Sequence, residues 1–364
     1  MIVGPRQSGK TTFLKAHLPQ NANYLLFDDP DIRTIFEEDI KNFDKQYING
    51  KEIVILDEIQ YAKDHGQKLK YLTDTDRKLW ITSSSEILLG KKVLSYLVGR
   101  VSILRLYPFN IKEFLSAKNI QAYTPQMLRR EVEEHTVYGG YPKVLLTKDI
   151  ELKKTLLKDL YETMILKDIA RTFSISAINS LEKFTEYLAL NTGTQLSYDS
   201  IAQTIKISFQ TIKKYLDAME KSYLITVIRP FFTNKNKELS KQPKIYMLDT
   251  GLRNIIIKDF KVNGKIFENY ILTELIKYGY APKYWRTKTK LEVDFIIEKE
   301  NEIIPIEVKL TETKIGRGLK SFIELYSPKR AYIAIFNGEE KTIHEKGCII
   351  KFVKILSLKK EITS

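Results

Sequence analysis

The chain has 364 residues, 43% of them hydrophobic and 29% charged, a composition typical of a globular protein with two or three domains. It contains no secretory signal and no apolar run near the ~18 residues of a membrane helix. The one cysteine, Cys348, excludes an intrachain disulfide and a cysteine-based zinc site. The four histidines are scattered, so we expect oxygen ligands for any metal, which favours Mg²⁺ or Mn²⁺. We expect a cytoplasmic protein without a membrane contact.

The formal net charge is +14. Such a basic balance indicates a polyanionic partner, although a lysine-rich surface without a partner gives the same total. Residues 206–246 contain nine Lys/Arg and three Asp/Glu, so close to half of the excess lies in about a ninth of the chain. This concentration favours nucleic acid, with DNA as the expected partner.

The segment from Gly4 to Thr11 matches the pattern G-x-x-x-x-G-K-[ST], between a strand end at Ile2-Val3 and a helix. Backbone N–H groups of such a loop and the positive end of the next helix bind phosphates. We predict that Lys10 contacts the β- and γ-phosphates of ATP and that Thr11 binds Mg²⁺. The candidate nucleotide-binding residues of this segment are Gly4, Pro5, Arg6, Gln7, Ser8, Gly9, Lys10, Thr11 and Thr12.

Two further strands are predicted to complete the ATP site. The run of strand-forming residues from Glu52, apolar at 53–56, is typical of a buried parallel strand. It leads into Asp57, expected to bind Mg²⁺ through water, and Glu58, expected to act as general base. A strand at 78–82 leads into Ser83 and Ser84, either of which is a candidate sensor of the γ-phosphate; a serine-rich turn is the alternative. The chain has no guanine-reading motif, which favours ATP over GTP.

Arg100 follows Gly99 beyond the third strand. An arginine in this place can stabilise transition-state charge on the ATP of a neighbouring subunit, which would make the protein a homo-oligomer. A surface arginine without a catalytic role is the alternative.

The middle of the chain is predicted to be helical. Residues 110–172 predict a helical lid, interrupted by a turn at 138–142. Helices at 181–191, 198–204 and 209–221, then strands at 224–232 and 244–248, predict a winged helix-turn-helix. The residues expected to contact DNA are Gln210, Thr211, Lys213 and Lys214 on the third helix, and Lys235 and Lys237 in the wing. A winged helix that contacts protein is the alternative.

The last hundred residues predict an α/β domain with a hairpin formed by 292–297 and 303–309. If Glu298 pairs with Ile303, Asp294 lies opposite Glu307, with Cβ atoms about 5 Å apart. Carboxylates this close repel each other unless a divalent cation lies between them. Lys309 projects on the same side as Glu307, and Glu268 of a preceding helix is a fourth candidate.

This constellation suits metal-assisted phosphodiester hydrolysis, in which Glu268, Asp294 and Glu307 bind Mg²⁺ or Mn²⁺ and Lys309 positions water. One alternative is a surface hairpin with a salt bridge. Another is a nuclease-shaped domain that binds DNA without cutting it.

Together the motifs resemble the prokaryotic AAA-type ATPases that carry a C-terminal DUF4143 domain. The resemblance rests on GPRQSGKTT, ILDEIQ, TSSSE, LVGR, YGGYP, IKKYLDAMEKSYLI, KIYMLDTGL, EVDFII and IPIEVK. It implies an AAA-type core, a winged helix and a restriction-endonuclease-like domain. By this match Lys10, Thr11, Asp57 and Glu58 bind ATP and Mg²⁺, and Arg100 aligns with the arginine of the family's GR segment.

The same match places Glu268, Asp294, Glu307 and Lys309 at the nuclease motif positions. The chain departs from the family pattern in TSSSE, where a glycine is more usual after the threonine, and in its first strand. Met1 lies three residues before Gly4, and we hypothesise that coding sequence precedes it.

The sequence thus predicts an α/β protein in four parts: a P-loop parallel-sheet ATPase core at 1–109, a helical lid at 110–172, a winged helix-turn-helix at 173–248, and a restriction-endonuclease-like domain at 249–364. We expect it to hydrolyse ATP, to bind DNA and to cleave DNA with a metal-dependent site. The alternative is an ATP-dependent switch that binds DNA or protein and whose nuclease fold is catalytically silent.

Overall fold

The computed structural model describes residues 1–75, 77–86, 91–233, 238, 241–300, 302–311 and 314–363, with the backbone alone for residues 91, 92 and 94. The chain forms two compact units. The first comprises Met1–Pro108, Glu162–Ile178 and Tyr215–Leu224, and the second comprises Phe109–Tyr161, Asn179–Lys214 and Ile225–Ser364. Within the described ranges, no helix has both the length and the apolar character that crossing a membrane requires.

The first unit contains a five-stranded parallel sheet in the order β2-β3-β4-β1-β5. Its strands are β1 (Ile2–Val3), β2 (Ala22–Leu26), β3 (Ile53–Asp57), β4 (Leu79–Ser83) and β5 (Leu104–Arg105). Strand β3 is buried along most of its length, as expected of an apolar run in a parallel sheet. The carboxyl ends of β3, β4 and β1 therefore lie side by side, where the sequence predicts the ATP site.

Helices of the first unit follow the strands, as in other α/β sheets. They are α1 (Lys10–Ala16), α2 (Pro30–Glu38), α3 (Ile40–Phe43), a π-helical turn (Asp44–Ile48), a 3₁₀ turn (Ile59–Tyr61), α4 (His65–Asp74) and α5 (Lys91–Tyr96). Phe27, Phe36 and Phe43 are fully buried, and the ring of Phe36 meets the other two edge-on at centroid distances of 5.0 and 5.1 Å. These rings form the centre of the core beside β3.

The middle of the chain is helical, as predicted for 110–172. Its elements are α6 (Ile111–Ala117), α7 (Pro125–Tyr138), α8 (Pro142–Leu146), α9 (Ile150–Thr163), a π-helical segment (Met164–Arg171), α10 (Ile178–Leu190), α11 (Tyr198–Ile205), α12 (Phe209–Lys221), β6 (Ile225–Ile228) and β7 (Lys244–Met247). Thr211 N–H donates to Ser208 Oγ at 3.1 Å, which caps α12. The order of three helices and an antiparallel strand pair agrees with the prediction, although β6 is shorter than expected.

The remaining elements build a six-stranded mixed sheet in the order β12-β13-β11-β10-β9-β8. They are α13 (Thr250–Ile257), α14 (Gly264–Lys277), β8 (Lys283–Arg286), β9 (Glu292–Lys299), β10 (Glu302–Thr311), α15 (Arg317–Tyr326), β11 (Arg330–Asn337), β12 (Lys341–Glu345), β13 (Cys348–Val353) and α16 (Ile355–Thr363). One apolar core lies where α14 and α16 pack against this sheet, and a second lies beneath α15.

The hairpin of β9 and β10 has the predicted register. Glu298 pairs with Ile303, and Ile306 pairs with Phe295, so the next position in line places Asp294 opposite Glu307. The connection is tighter than predicted, because Lys299 also pairs with Glu302 and only two residues lie between the strands.

The turn at 138–142, for which the sequence indicates no role, packs against the start of α13. The Asp249 carboxylate accepts hydrogen bonds from Gly140 N–H at 2.9 Å and from Leu252 N–H at 3.1 Å, which caps that helix. A Cβ atom on Gly139 would lie 2.0 Å from Asp249 Oδ1, and one on Gly251 would lie 2.2 Å from the carbonyl oxygen of Tyr138. The two glycine-containing segments thus form one structural contact inside the second unit.

We predict that Gly251→Ala lowers the free energy of unfolding by about 1–3 kcal/mol, because the new methyl group meets a backbone oxygen that cannot rotate away. Gly264→Ala is the matched control, since a Cβ there meets nothing within 4 Å, and it should leave stability unchanged or raise it by up to about 1 kcal/mol. Denaturant unfolding followed by circular dichroism measures both. Equal stability of the two variants would contradict the close packing of the two segments.

Candidate functional site

The phosphate-binding loop lies at the carboxyl end of β1. Gly4 N–H donates to the carbonyl oxygen of Ser83 at 3.2 Å, which ties the loop to the end of β4. A Cβ on Gly4 would lie 2.0 Å from the carbonyl oxygen of Leu106, so only glycine permits this approach. Gly9 has a φ of 103° and directly precedes α1, whose N-terminus therefore faces the loop.

Lys10 lies inside this loop rather than in solvent. Its ammonium donates to the carbonyl oxygens of Gly4 at 2.8 Å and Pro5 at 3.0 Å, and the residue is 4% exposed. Burial lowers the pKa of Lys10, and the charge of Glu58 opposes this shift. The Ser8 hydroxyl is also buried in the loop and makes no hydrogen bond with any residue that the structure describes. A buried ammonium and an unsatisfied hydroxyl suit a phosphate group, which accepts hydrogen bonds from both.

Asp57 ends β3 and accepts three hydroxyl donors. Thr11 Oγ1 donates to Asp57 Oδ2 at 3.1 Å, and the hydroxyls of Tyr24 and Thr82 donate to the same carboxylate. The predicted neighbourhood of Thr11 and Asp57 is therefore present. A hydroxyl and a carboxylate side by side are the hard oxygen ligands that Mg²⁺ prefers.

Glu58 lies next to Asp57, in a left-handed backbone conformation with a φ of 58°. Its carboxylate accepts hydrogen bonds from the Gln60 amide and, at 3.2 Å, from Ser84 N–H. Burial alone would raise the pKa of Glu58, but the charges of Lys10 and Arg6 and these hydrogen bonds outweigh it and lower the pKa. The carboxylate is therefore ionised at neutral pH, as a proton acceptor must be.

Of the two candidate sensors, Ser84 is the one that lies beside Glu58. Its hydroxyl donates to Asp168 at 3.1 Å and accepts from Gln60 at 3.0 Å. The Ser83 hydroxyl instead donates to the carbonyl oxygen of Ser85 at 2.7 Å, within its own turn.

The other candidate residues of the loop have different surroundings. Pro5 is buried, whereas Gln7 and Thr12 are exposed. Arg6 forms a two-pronged ion pair with Asp168, at 3.1 and 3.0 Å, and donates to the Tyr61 hydroxyl at 2.8 Å. Asp168 was not a sequence candidate.

Arg100 lies at the opposite edge of the sheet from the loop. Its guanidinium pairs at 2.9 Å with the carboxylate of Asp74, and its side chain is 44% exposed. Asp74 ends α4, shortly before the amino end of β4. Arg100 therefore does not reach the nucleotide site of its own subunit, and a role at the site of a neighbouring subunit stays a prediction.

A second group of charged side chains lies on β9 and β10 in the second unit. Lys309 Nζ donates to Glu307 Oε1 at 2.8 Å, and Val308 N–H donates to Asp294 Oδ2 at 2.7 Å. Glu307 is 6% exposed, and its second oxygen, Oε2, makes no hydrogen bond within the described part of the chain. A Cβ on Gly316 would lie 2.3 Å from Glu307 Oε1, so the absence of a side chain there leaves room for this carboxylate.

Glu268 joins this cluster through two residues of β7 that the sequence did not single out. Tyr246 donates from its hydroxyl to Glu268 Oε1 at 2.6 Å. The buried ammonium of Lys244 lies 3.5 Å from the same oxygen and also pairs with Glu292. Burial alone would lower the pKa of Lys244, but the charges of Glu268, Glu292 and Asp294 raise it, so the ammonium stays charged.

Asp294 is the acid of this cluster whose pKa departs clearly from its ordinary value. Burial and the charge of Glu268 raise its pKa well above the usual range, while Lys244 and the Val308 N–H oppose the shift. Among the residues that the structure describes, no group of three or more His, Cys, Asp or Glu side chains is arranged to bind a metal ion. A cation here would need water or substrate oxygens besides Asp294 and Glu307, which is the usual manner for Mg²⁺.

The candidate DNA-contacting residues lie on the first turns of α12. Gln210, Lys213 and Lys214 are exposed and Thr211 is partly so. Lys213 Nζ lies 4.5 Å above the ring of Phe209, an exposed aromatic residue on the same helix. Lys235 and Lys237 lie outside the described residues.

Several residues that contact the two candidate sites were not singled out in the sequence. They include Tyr24, Gln60, Thr82, Asp168, Lys244, Tyr246 and Gly316. Thr82 directly precedes Ser83 and Gln60 is two residues from Glu58, so their closeness in the sequence to candidate site residues could have identified them. Lys244 and Tyr246 lie in the KIYMLDTGL segment, although the sequence assigns those two residues no role. Tyr24, Asp168 and Gly316 carry no local signal, because their partners are distant in the chain.

Three family models match the chain: an AAA domain over residues 1–115, a domain of unknown function (DUF8612) over 129–262, and a domain of unknown function (DUF4143) over 263–358. An uncharacterized protein of Methanocaldococcus jannaschii is 29% identical over 343 residues, which covers 88% of this chain and 77% of that protein. An uncharacterized protein of Haemophilus influenzae is 28% identical, with 85% and 81% covered.

Among solved structures, the DNA clamp loader delta protein of Bacillus subtilis matches at 13% identity, covering 76% of this chain and 94% of that one. Its TM-score of 0.29 is too low to establish a common fold. The family models support an AAA-type ATPase domain at the N-terminus of this chain and a DUF4143 domain at its C-terminus.

Proposed function

We propose that the first unit binds ATP with Mg²⁺ and hydrolyses it. The observation that carries this proposal is the convergence of Lys10, Thr11, Asp57, Glu58 and Ser84 at the carboxyl ends of three adjacent strands. These side chains come from three separate segments, and each has the chemistry that phosphoryl transfer to water requires.

In this proposal Lys10 and the loop N–H groups bind the phosphates, and Thr11 and Asp57 hold Mg²⁺, which neutralises phosphate charge when bound. Glu58 accepts a proton from the attacking water. Ser84 N–H fixes the Glu58 carboxylate in place. Because its pKa is lowered, the Glu58 carboxylate is already ionised at neutral pH and can accept this proton.

We predict that Glu58→Gln lowers kcat for ATP hydrolysis by about 10²–10⁴-fold while ATP still binds, because the amide cannot accept the proton. Lys10→Ala should instead weaken binding of ATP, as read by a fluorescent ATP analogue. Glu52→Gln, on an exposed residue just before the same strand, is the matched control and should hydrolyse ATP at the unaltered rate. Unchanged hydrolysis by Glu58→Gln would remove Glu58 from the role of base.

We further propose that the cluster on β9 and β10 cleaves DNA with a divalent cation, Mg²⁺ or Mn²⁺. Supporting this are the close packing of Asp294, Glu307 and Lys309 and the unpartnered oxygen of Glu307. A buried carboxylate oxygen without a hydrogen bond costs free energy, which a bound cation would recover. Lys309, about one-third exposed, could then stabilise charge on a scissile phosphate.

We predict that Glu307→Gln and Lys309→Ala abolish metal-dependent cutting of branched, single-stranded or double-stranded DNA, because each removes a charge from the reacting centre. Glu298→Gln is the control: it lies on the same strand as Asp294 but is exposed near the hairpin turn. Product gel assays with Mg²⁺ or Mn²⁺, with and without ATP, measure the outcome. Cutting by all three variants would indicate a different site or a contaminant, and no cutting by the wild type would favour a silent nuclease fold.

We propose DNA rather than protein as the partner of α12. The exposed Lys213 and Lys214 lie on its first turns together with Gln210, in a part of the chain with a net charge of +6. The structure lowers the surface charge on which this proposal draws. Lys244, which the +6 includes, is buried among carboxylates and contributes nothing to the charge of the surface. Lys213 and Lys214 remain exposed, and lysine side chains are common phosphate contacts in protein–DNA complexes.

We predict that the double variant Lys213→Ala/Lys214→Ala weakens DNA binding and makes the slope of log K against log salt shallower by about 1–2, because phosphate contacts release counterions. Fluorescence anisotropy between 50 and 200 mM salt measures the slope, an interval over which such contacts lose most of their affinity. Lys360→Ala, on an exposed lysine of α16, is the control for the loss of a surface lysine away from α12. A flat salt response of the wild type would favour an ATP-dependent switch that binds protein.

A further inference from the structure

Asp168 is an almost fully buried acid of the first unit, 1% exposed, on the π-helical segment Met164–Arg171. Its Oδ2 accepts from Arg6 Nε at 3.1 Å, and its Oδ1 accepts from Arg6 at 3.0 Å and from the Ser84 hydroxyl at 3.1 Å. One carboxylate thus contacts two candidate site segments, the phosphate-binding loop and the end of β4. Long π-helical segments are rare and occur often at functional sites.

The contact with Arg6 acts on the loop. Arg6 is the third residue of the phosphate-binding loop. Its Nε and one terminal nitrogen donate to the two carboxylate oxygens of Asp168, in the planar two-pronged geometry that carboxylates favour. Burial alone would lower the pKa of Arg6, and the pairing with Asp168 raises it, so the guanidinium stays charged. The side chain therefore fixes the loop backbone from the side, with Nε and one terminal nitrogen turned towards Asp168.

The contact with Ser84 acts on the general base. The hydroxyl of Ser84 donates to Asp168, and the backbone N–H of the same residue donates to Glu58 Oε2 at 3.2 Å. Gln60 completes this network by donating to both Glu58 and the Ser84 hydroxyl. A shift of the Asp168 carboxylate would therefore move Ser84 and, through it, the carboxylate that accepts the proton.

The position of Asp168 itself is fixed from its backbone side. Ser222, directly after α12, donates from its hydroxyl to the carbonyl oxygen of Asp168 at 2.9 Å. Within the same segment, the Arg171 guanidinium lies 4.9 Å above the ring of Tyr61, whose hydroxyl accepts from Arg6. The segment is thus attached to the site at several points besides the carboxylate.

We propose that Asp168 is a positioning residue of ATP hydrolysis, which aligns the phosphate-binding loop through Arg6 and the general base Glu58 through Ser84. This role rests on the ATP hydrolysis proposed above. Asp168 touches neither the nucleotide nor the water. It sets the geometry of groups that do, and displacement of such groups by about 1 Å can lower a rate by about 10²-fold.

The test compares Asp168→Asn with the wild type in steady-state ATP hydrolysis. We expect kcat to fall by about 10- to 100-fold, with KM for ATP and the affinity for a fluorescent ATP analogue changed by less than about 3-fold, because alignment is lost while the phosphate ligands remain. Asp28→Asn is the matched control, an acid near the same segment, 47% exposed and 4.0 Å from Arg171. It should keep the wild-type kcat.

A second comparison separates positioning from general loss of structure. In the Glu58→Gln background, adding Asp168→Asn should lower single-turnover hydrolysis by a smaller factor than in the wild type, because the base is already absent and only the alignment of the loop through Arg6 is lost. If Asp168→Asn does not fold, Arg6→Gln breaks the same pair from its partly exposed side and should give the same kcat loss.

The outcomes distinguish the two proposals. Absent ATP hydrolysis by the wild type, or full hydrolysis by Lys10→Ala, overturns the proposed function. Hydrolysis that needs Lys10, but proceeds at the wild-type kcat in both Asp168→Asn and Arg6→Gln, overturns the positioning role alone. The same holds if kcat is kept and only KM rises, or if the losses from Asp168→Asn and Glu58→Gln multiply.

Discussion

Both candidate sites are built from charged side chains taken out of water, and burial of charge is tolerated only where opposite charges and hydrogen bonds compensate it. In the first unit this compensation joins Arg6 to Asp168 and places Lys10 near Glu58. In the second it surrounds Lys244 with Glu268 and Glu292. Because an unpaired partner would remain buried, removal of one member costs more than the pair contributes.

The parallel sheet of the first unit explains why the grouping of the candidate ATP-site residues could be predicted from the sequence. Strands β3 and β4 end at Asp57 and Ser83, and parallel neighbours bring their carboxyl ends to the same edge as the loop after β1. Lys10, Thr11, Asp57 and Glu58 were therefore recognisable from motif and spacing alone. The choice between Ser83 and Ser84 was not, because it depends on which hydroxyl turns back into its own backbone.

Long-range contacts account for what the sequence could not predict. Asp168 lies 162 residues from Arg6, and no local pattern around it distinguishes it from a solvated acid on a helix. Lys244 was counted as part of a basic surface, whereas the structure buries it beside Glu268 and Glu292. The hairpin register was predictable because side-chain alternation and a short turn determine it locally. The glycines at 139 and 251 stand in the sequence, but the close contact between their two segments, which leaves no room for a Cβ atom, could not be predicted from it.

The balance of charge in the second unit bears on the two proposals for its carboxylate cluster, cleavage of DNA and binding of DNA without cleavage. Glu268, Glu292, Asp294 and Glu307 face Lys244, Arg286 and Lys309, so the cluster carries more acid than base when its members are ionised. A phosphate group approaching such a cluster is repelled unless a cation is bound first or Asp294 takes up a proton, as its raised pKa permits. While all its acids are ionised, the cluster therefore disfavours the approach of a phosphate group without a bound cation. Metal-dependent engagement of phosphate fits the carboxylates better, and the basic residues of α12 provide the more suitable surface for binding without chemistry.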